Sequence, residues 1–254
     1  MLRVRDLAFG YGRRVVGSGV EFTLDRGQVL AVLGGNGCGK TTLFRTLLGL
    51  LPPIDGRVEL GGRDLAGMSA QARARQFAYV PQQQSTAFAF TVNEAVLMGR
   101  AASIGWFAQP QAEDRRRATE ALARVGIDRL AQRPMNAISG GERQLALIAR
   151  ALAQGAEVLV LDEPTANLDY GNKLRVLREI ERLRAAGCTI LFSTHDPDHA
   201  LAHADHALLL ADGRMLAMAR AAEALTGETL TALYGVPVRV TEVDGTRRVF
   251  PVTR

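Results

Sequence analysis

Five apolar residues, Val29-Leu30-Ala31-Val32-Leu33, run directly into Gly34-Gly35-Asn36-Gly37-Cys38-Gly39-Lys40-Thr41. The second stretch satisfies G-x-x-x-x-G-K-[ST] at every fixed position, between a buried strand and a helix. No other feature restricts the fold so sharply. Glycines let the backbone wrap closely around an anion, so that successive N–H groups and the start of the helix point at negative oxygens. Lys40 can then reach the β- and γ-phosphates as a compact charge, and the Thr41 hydroxyl can hold Mg²⁺. Lysine occurs only at positions 40 and 173, whereas arginine supplies the other 29 of the 31 cationic residues. In such a chain a lysine marks a place where the planar guanidinium does not fit. The ligand this implies is a nucleoside triphosphate.

A second run, Val158-Leu159-Val160-Leu161-Asp162-Glu163, takes four apolar residues into two adjacent carboxylates. A buried strand here delivers both acids to its carboxyl end, near the phosphate loop, and strand alternation is expected to point them to opposite sides. Asp162 suits the Mg²⁺ shell, and Glu163 can orient and deprotonate an attacking water.

Around these runs the chain alternates strands and helices. Residues 1–33 read as strands broken by Gly-rich turns. A helix is expected from Lys40 to about Leu51, stopped by Pro52-Pro53. Residues 56–80 read as strand, turn at Gly61-Gly62, polar helix and the strand Phe77–Val80. The character then becomes helical, with a capping box at Thr91-Val92-Asn93-Glu94 and a charged helix over about 111–125. Alternation resumes with a helix at about 141–153, a strand at 157–161, a helix at 170–185 and a strand at 188–193. Val238–Val243, Asp244-Gly245 and Thr246–Phe250 read as a β-hairpin. The expected class is α/β, a parallel sheet covered by helices with ligands at its carboxyl ends. An α-helical insertion occupies 83–137.

Composition excludes other readings. No stretch approaches the ~18 apolar residues that cross a bilayer, and MLRVRDLAFGYG carries charge where a signal peptide needs an apolar core. Cys38 and Cys188 make no disulfide framework, which suits a reducing compartment. The net charge of +5 comes from scattered arginine. Its one dense run, Arg115-Arg116-Arg117, follows Glu113-Asp114 and reads as a solvated helix face, not a nucleic-acid patch. All four histidines, 195, 199, 203 and 206, fall in one segment. The last three share a face if one helix carries them, a spacing that would suit a metal although a polar surface helix explains it as well.

Between the two nucleotide elements lies Ile138-Ser139-Gly140-Gly141-Glu142-Arg143-Gln144. With it, the order of motifs resembles the ABC ATPase family over nearly the whole chain. Tyr11 matches the aromatic that stacks on adenine, and Gln82 the glutamine that joins the catalytic core to the helical subdomain. Ser139 to Gln144 match the family signature, and Ala166-Asn167-Leu168-Asp169 the following D-loop. His195 matches the switch histidine near the γ-phosphate. The resemblance implies a phosphate-loop NTPase (RecA-like) core made of 1–82 and 138–235, including an N-terminal antiparallel β-subdomain. The helical subdomain would be 83–137 and the hairpin 236–254. It implies ATP contacts along Tyr11, Gly34 to Thr42, Ser139, Gly140, Gly141 and Asp169, with Mg²⁺ at Thr41, Gln82 and Asp162. Lys40, Gln82, Glu163 and His195 would carry the chemistry.

The resemblance further implies a head-to-tail homodimer in which each ATP lies on one copy's phosphate loop and is capped by the other's Ser139 and Gly141. It places the subunit at the cytoplasmic face of a bacterial inner membrane, held by integral-membrane permease subunits and acting indirectly with a substrate-binding protein. Val92 to Arg100, Phe107-Ala108-Gln109-Pro110 and Leu233-Tyr234-Gly235-Val236-Pro237 look like the importer ATPases for ferric siderophore, haem, cobalamin and molybdate. Phe88, Phe90, Val92 and Met98 are the expected groove for a permease helix, with some of them serving as core. A separately encoded exporter ATPase and a non-transport ABC ATPase are the alternatives. The chain departs from the family in Ile138, in Glu142 where glutamine is commonest, and in Cys38 where Ala or Ser is usual.

Overall fold

The computed structural model describes residues 1–82, 90–104 and 108–252. In chain order, β1 (Leu2–Tyr11) and β2 (Arg14–Leu24) precede β3 (Val29–Leu33) and α1 (Lys40–Leu47). Strands β4 (Asp55–Leu60) and β5 (Arg63–Asp64), α2 (Ala70–Gln76), β6 (Phe77–Val80) and α3 (Val92–Leu97) follow. Next come α4 (Ala112–Arg124), α5 (Gly140–Gln154), β7 (Val158–Leu161), α6 (Tyr170–Ala185) and β8 (Thr189–Thr194). The last third holds α7 (Pro197–His203), β9 (His206–Ala211), β10 (Arg214–Arg220), α8 (Ala221–Ala224), α9 (Gly227–Tyr234), β11 (Val238–Val243) and β12 (Thr246–Pro251). These elements gather into two compact units, one of residues 1–69 with 184–254, the other of residues 70–183. The β6 and β7 strands thus belong with the helical segments.

In the first unit, β5-β4-β1-β2-β10-β9-β3-β8 are successive neighbours. β1 pairs antiparallel with both β2 and β4, which is the N-terminal antiparallel layer. β3 lies parallel to β8 and β9. Its five side chains are all fully buried, as are Leu208, Leu209 and Leu210 of β9. A parallel strand covered on both faces reads as a continuous apolar run for this reason. Helix α1 stops at Leu47, four residues before the expected end. Gly49 turns left-handed at φ 67, and the N–H groups of Gly49 and Leu50 satisfy the carbonyls of Thr46 and Arg45. The break is thus made by the glycine, and Pro52-Pro53 lie beyond it.

In the second unit, β6 and β7 are parallel, with Phe77 opposite Val158 and Val80 opposite Leu161. The Thr91 capping box forms in full: Glu94 N–H donates to Thr91 Oγ1 at 3.2 Å and Thr91 N–H to Glu94 Oε2 at 2.8 Å. Arg100, only 6% exposed, donates from Nε to Asp114 at 3.0 Å and from Nη1 to the Ala153 carbonyl at 3.0 Å. A buried ion pair costs desolvation that its Coulomb attraction recovers only when further hydrogen bonds satisfy both partners. Here they do: Asp114 also accepts from the Gln111 N–H, and Arg100 closes the carboxyl end of α5. Within the Arg115–Arg117 run, Arg116 and Arg117 form ion pairs with Glu113 and Glu120 on the exposed face of α4, as the charge pattern predicts. The Phe88 and Phe107 positions lie outside the described residues.

Candidate nucleotide site

The phosphate loop is placed by strand register. Leu33, the last residue of β3, is paired with Thr194, the last of β8, and with Leu209 of β9. Gly34 and His195 therefore leave the sheet at the same level. Gly34 passes so close to β9 that a Cβ there would lie 2.4 Å from both the Leu210 carbonyl oxygen and Cys38 Sγ. Beyond it, Gly35 and Gly37 border open space. Lys40 is 5% exposed and donates from Nζ to the carbonyls of Gly34 at 2.9 Å and Gly35 at 3.0 Å. The ammonium is thus held in the floor of the loop instead of extending into solvent. Asn36 at the loop crest is exposed, Thr41 is half-buried, and Thr42 is buried.

Gly39 begins α1 at φ 109 with no side-chain cap and no acid in the first turn. The early N–H groups of a helix lack intrahelical acceptors and carry the positive end of its dipole. A loop with room for oxygens, a buried ammonium and an uncapped helix start fit a polyphosphate. Tyr11 stands beside this helix, 46% exposed, its hydroxyl within 3.4 Å of both Thr42 Oγ1 and Arg45 Nη1. The Thr42 hydrogen bond, with the nearby Arg45 charge, holds the Tyr11 phenol below its ordinary pKa. Its ring is anchored at the tip and leaves a face for stacking.

In the second unit, Pro81-Gln82 and Asp162-Glu163 leave the paired strands β6 and β7 together. The Asp162 N–H donates to the Val80 carbonyl at 2.8 Å, extending the ladder by one bond. Asp162 is 1% exposed and accepts from Tyr79 Oη at 3.2 Å. Such a buried, oriented carboxylate fits Mg²⁺, which prefers oxygen ligands. Glu163 is half-buried and accepts from Gln82 Nε2 at 3.0 Å. Strand alternation is not what separates the two acids. β7 ends at Leu161, and Glu163 sits in the left-handed region at φ 46. Non-glycine residues held there cost of order 1–3 kcal/mol and gather at functional sites. The turn at Glu163 aims its carboxylate at Gln82.

The signature and D-loop meet in the same unit. Ser139 caps α5: Glu142 N–H donates to Ser139 Oγ at 3.3 Å, while the Ser139 N–H and hydroxyl donate to Glu142 Oε2 at 3.0 and 2.9 Å. These bonds hold the Glu142 carboxyl below the usual carboxylate range. Ser139 and Gly140 are exposed, whereas Gly141 is buried against Asn172, whose side chain a Cβ would approach to 2.3 Å. Asn172 is itself fixed by Asp169, which accepts from its backbone N–H at 2.8 Å and from Nδ2 at 2.7 Å. The exposed Asp169 and the third signature residue are thereby linked through one amide. Sequence reasoning missed Asn172 and Tyr79. Each lies next to a motif that was read, and only contacts with the motif residues reveal them.

The histidines separate. Helix α7 ends at His203 because Ala204 is extended, and His206 opens β9. The shared helical face therefore does not exist, and among the described residues no cluster of three metal-binding side chains forms. His195 is exposed in the turn between β8 and α7. Of the four residues expected to divide between a permease groove and the core, Val92 is fully buried in the core, while Phe90 and Met98 are 39% and 44% exposed. A groove of about 840 Å³ does open beside Met98, lined among others by Leu97, Ile104, Pro110 and Gln154. Among the described residues no helix is long and apolar enough to cross a membrane.

A family model described as ABC transporter matches residues 18–166. An uncharacterised ABC transporter ATP-binding protein of Haemophilus influenzae is 41% identical over 92% of this chain and 89% of its own length. The ferric enterobactin transport ATP-binding protein of Escherichia coli is 34% identical over 100% of this chain and 94% of its own. Among solved structures, one assigned to the metal-chelate type of ABC transporter, in an inward-facing conformation, superposes with a TM-score of 0.87. It is 36% identical, with 100% of this chain and 98% of that one covered. The motif order and these likenesses agree: the chain belongs to the ABC transporter family, as one of its ATPase subunits.

Proposed function

We propose that this chain is the ATPase subunit of a bacterial ABC importer for a metal chelate or oxyanion, of the ferric siderophore, haem, cobalamin or molybdate class. Two copies would close around ATP beside membrane permease subunits. The observation that carries the ATPase reading is the β3–β8 register, which releases the phosphate loop and His195 from the sheet side by side. The cargo class rests on likeness to the enterobactin and metal-chelate transport proteins.

On this reading the 34–41 loop holds the triphosphate with backbone N–H groups and Lys40, and Tyr11 stacks on adenine. Thr41, Gln82 and Asp162 hold Mg²⁺, which offsets phosphate charge when bound. Glu163 takes a proton from the attacking water, and its bond to Gln82 fixes the carboxylate before that step. His195 donates toward the γ-phosphate. Ser139 and Gly141 of an opposing copy complete the phosphate contacts. The exposed Phe90, and Met98 in the wall of the apolar groove, suit a permease helix.

Glu163→Gln keeps the shape of the turn and removes the base. ATP binding should persist while turnover falls by ~10²–10⁴; full turnover in this variant refutes the assignment. Deleting the gene and following uptake of labelled ferric chelates, haem, cobalamin and molybdate tests the cargo class. Unchanged uptake of all four would remove the importer reading.

A further inference from the structure

The end of α9 and the hairpin after it reach back to the segment around His195. Tyr234, the last residue of α9, donates its hydroxyl to the His195 backbone carbonyl at 2.9 Å, across 39 positions of sequence. A second bond runs the same way: the Val249 N–H of β12 donates to Asp198 Oδ1 at 3.0 Å, in the first turn of α7. His195 lies between a strand end and a helix start. On one side the Asp196 N–H donates to Thr194 Oγ1 at 3.0 Å, and on the other Asp196 accepts from the Asp198 N–H at 3.0 Å. The residue between them is exposed. Its main chain is tethered at long range by the Tyr234 hydroxyl.

We propose that Tyr234 is a positioning residue for ATP hydrolysis, setting the height and angle at which His195 is presented to the γ-phosphate. This rests on the reading of His195 given above. Burial, reinforced by the Asp196 carboxylate, pushes the Tyr234 phenol above its ordinary pKa. It therefore remains a protonated donor throughout the neutral range. Its partner is a carbonyl oxygen, so the bond constrains the main chain without changing the charge or tautomer of the imidazole. A residue with this role affects the rate of the chemical step and leaves ground-state nucleotide binding nearly unchanged.

The test is a double-mutant cycle in the full-length chain, reading ATPase kcat and KM with thermal unfolding alongside. Tyr234→Phe removes only the hydroxyl. A neutral hydrogen bond of this kind corresponds to about a three- to tenfold loss in kcat, with KM within about twofold. In a His195→Ala background the same substitution should change kcat less than about twofold, because there is no longer an imidazole to place. A Tyr234→Phe loss of equal size in both backgrounds, or one carried by KM, or unchanged kcat in Tyr234→Phe alone, overturns the inference while leaving His195 in its role. If His195→Ala itself turns over at the native rate, the role of His195 fails and the inference falls with it.

Discussion

Helices α1 and α5 both begin in glycine-rich sequence, yet their first turns are completed in opposite ways. Helix α1 starts at a left-handed Gly39 with no side-chain cap and no acid nearby, so its early N–H groups remain available to an incoming anion. Helix α5 starts at Ser139, and the Glu142 carboxylate already occupies the position where an anion would approach. Two helix starts in one chain therefore offer different things. The first offers backbone donors and a buried ammonium. The second offers a serine hydroxyl that must turn away from its own carboxylate before it can serve a phosphate. An uncapped start is an anion site by default, whereas a capped one has to exchange one acid for another.

This contrast can be broken in several ways. The largest effect belongs to α1: Lys40→Ala should weaken ATP binding about ten- to a hundredfold, the range for hydrogen bonds to charged groups. Equilibrium titration with a fluorescent nucleotide reads it, and native affinity would show that the loop holds phosphate without its ammonium. Ser139→Ala should leave that titration unchanged but lower turnover about tenfold. Loss of nucleotide affinity in the isolated subunit would put Ser139 in the wrong role.

Glu142→Gln keeps a side chain able to close the capping box and removes the competing charge, so ATP-driven pairing should strengthen about two- to fivefold in sedimentation. Weakened pairing would mean that the carboxylate helps the contact. The pH dependence has a definite sign. Because the folded pKa of Glu142 is depressed, its contribution to stability is present above its unfolded value and fades as pH falls through the folded one. The glutamine variant should lack that acidic limb. The smallest effect is at α3, whose box has the same form away from the nucleotide motifs: Thr91→Ala should cost about 1 kcal/mol of stability and leave turnover alone. A catalytic defect there would erase the distinction between the two boxes.

Much of this was legible beforehand, for local reasons. Helix α6, strand β6 and the Asp244-Gly245 hairpin are found where periodicity and turn chemistry place them, because each is decided by residues within one or two turns. The Thr91 box likewise depends on four consecutive residues. The failures involve distant partners or competing signals. Gly49 ended α1 before the more conspicuous prolines could. The extended Ala204 parted His206 from the histidines of α7. Val92 has the same apolar character as Met98, and only tertiary packing decides which is covered. The hydrogen bond of Tyr234 to His195 and the close packing of Asn172 on Gly141 have no trace in sequence spacing, since neither belongs to a repeating pattern.

If Glu163 is the base proposed above, its dihedral sets stability and activity against each other. An L-amino acid at φ 46 is disfavoured relative to glycine, which adopts that shape without steric cost. A laboratory campaign rewarding heat tolerance alone would drift toward glycine at this position and collect robust, inert protein. With Glu163 in that role, a screen of this chain that scores folding without scoring phosphate release will rank its best molecules wrongly.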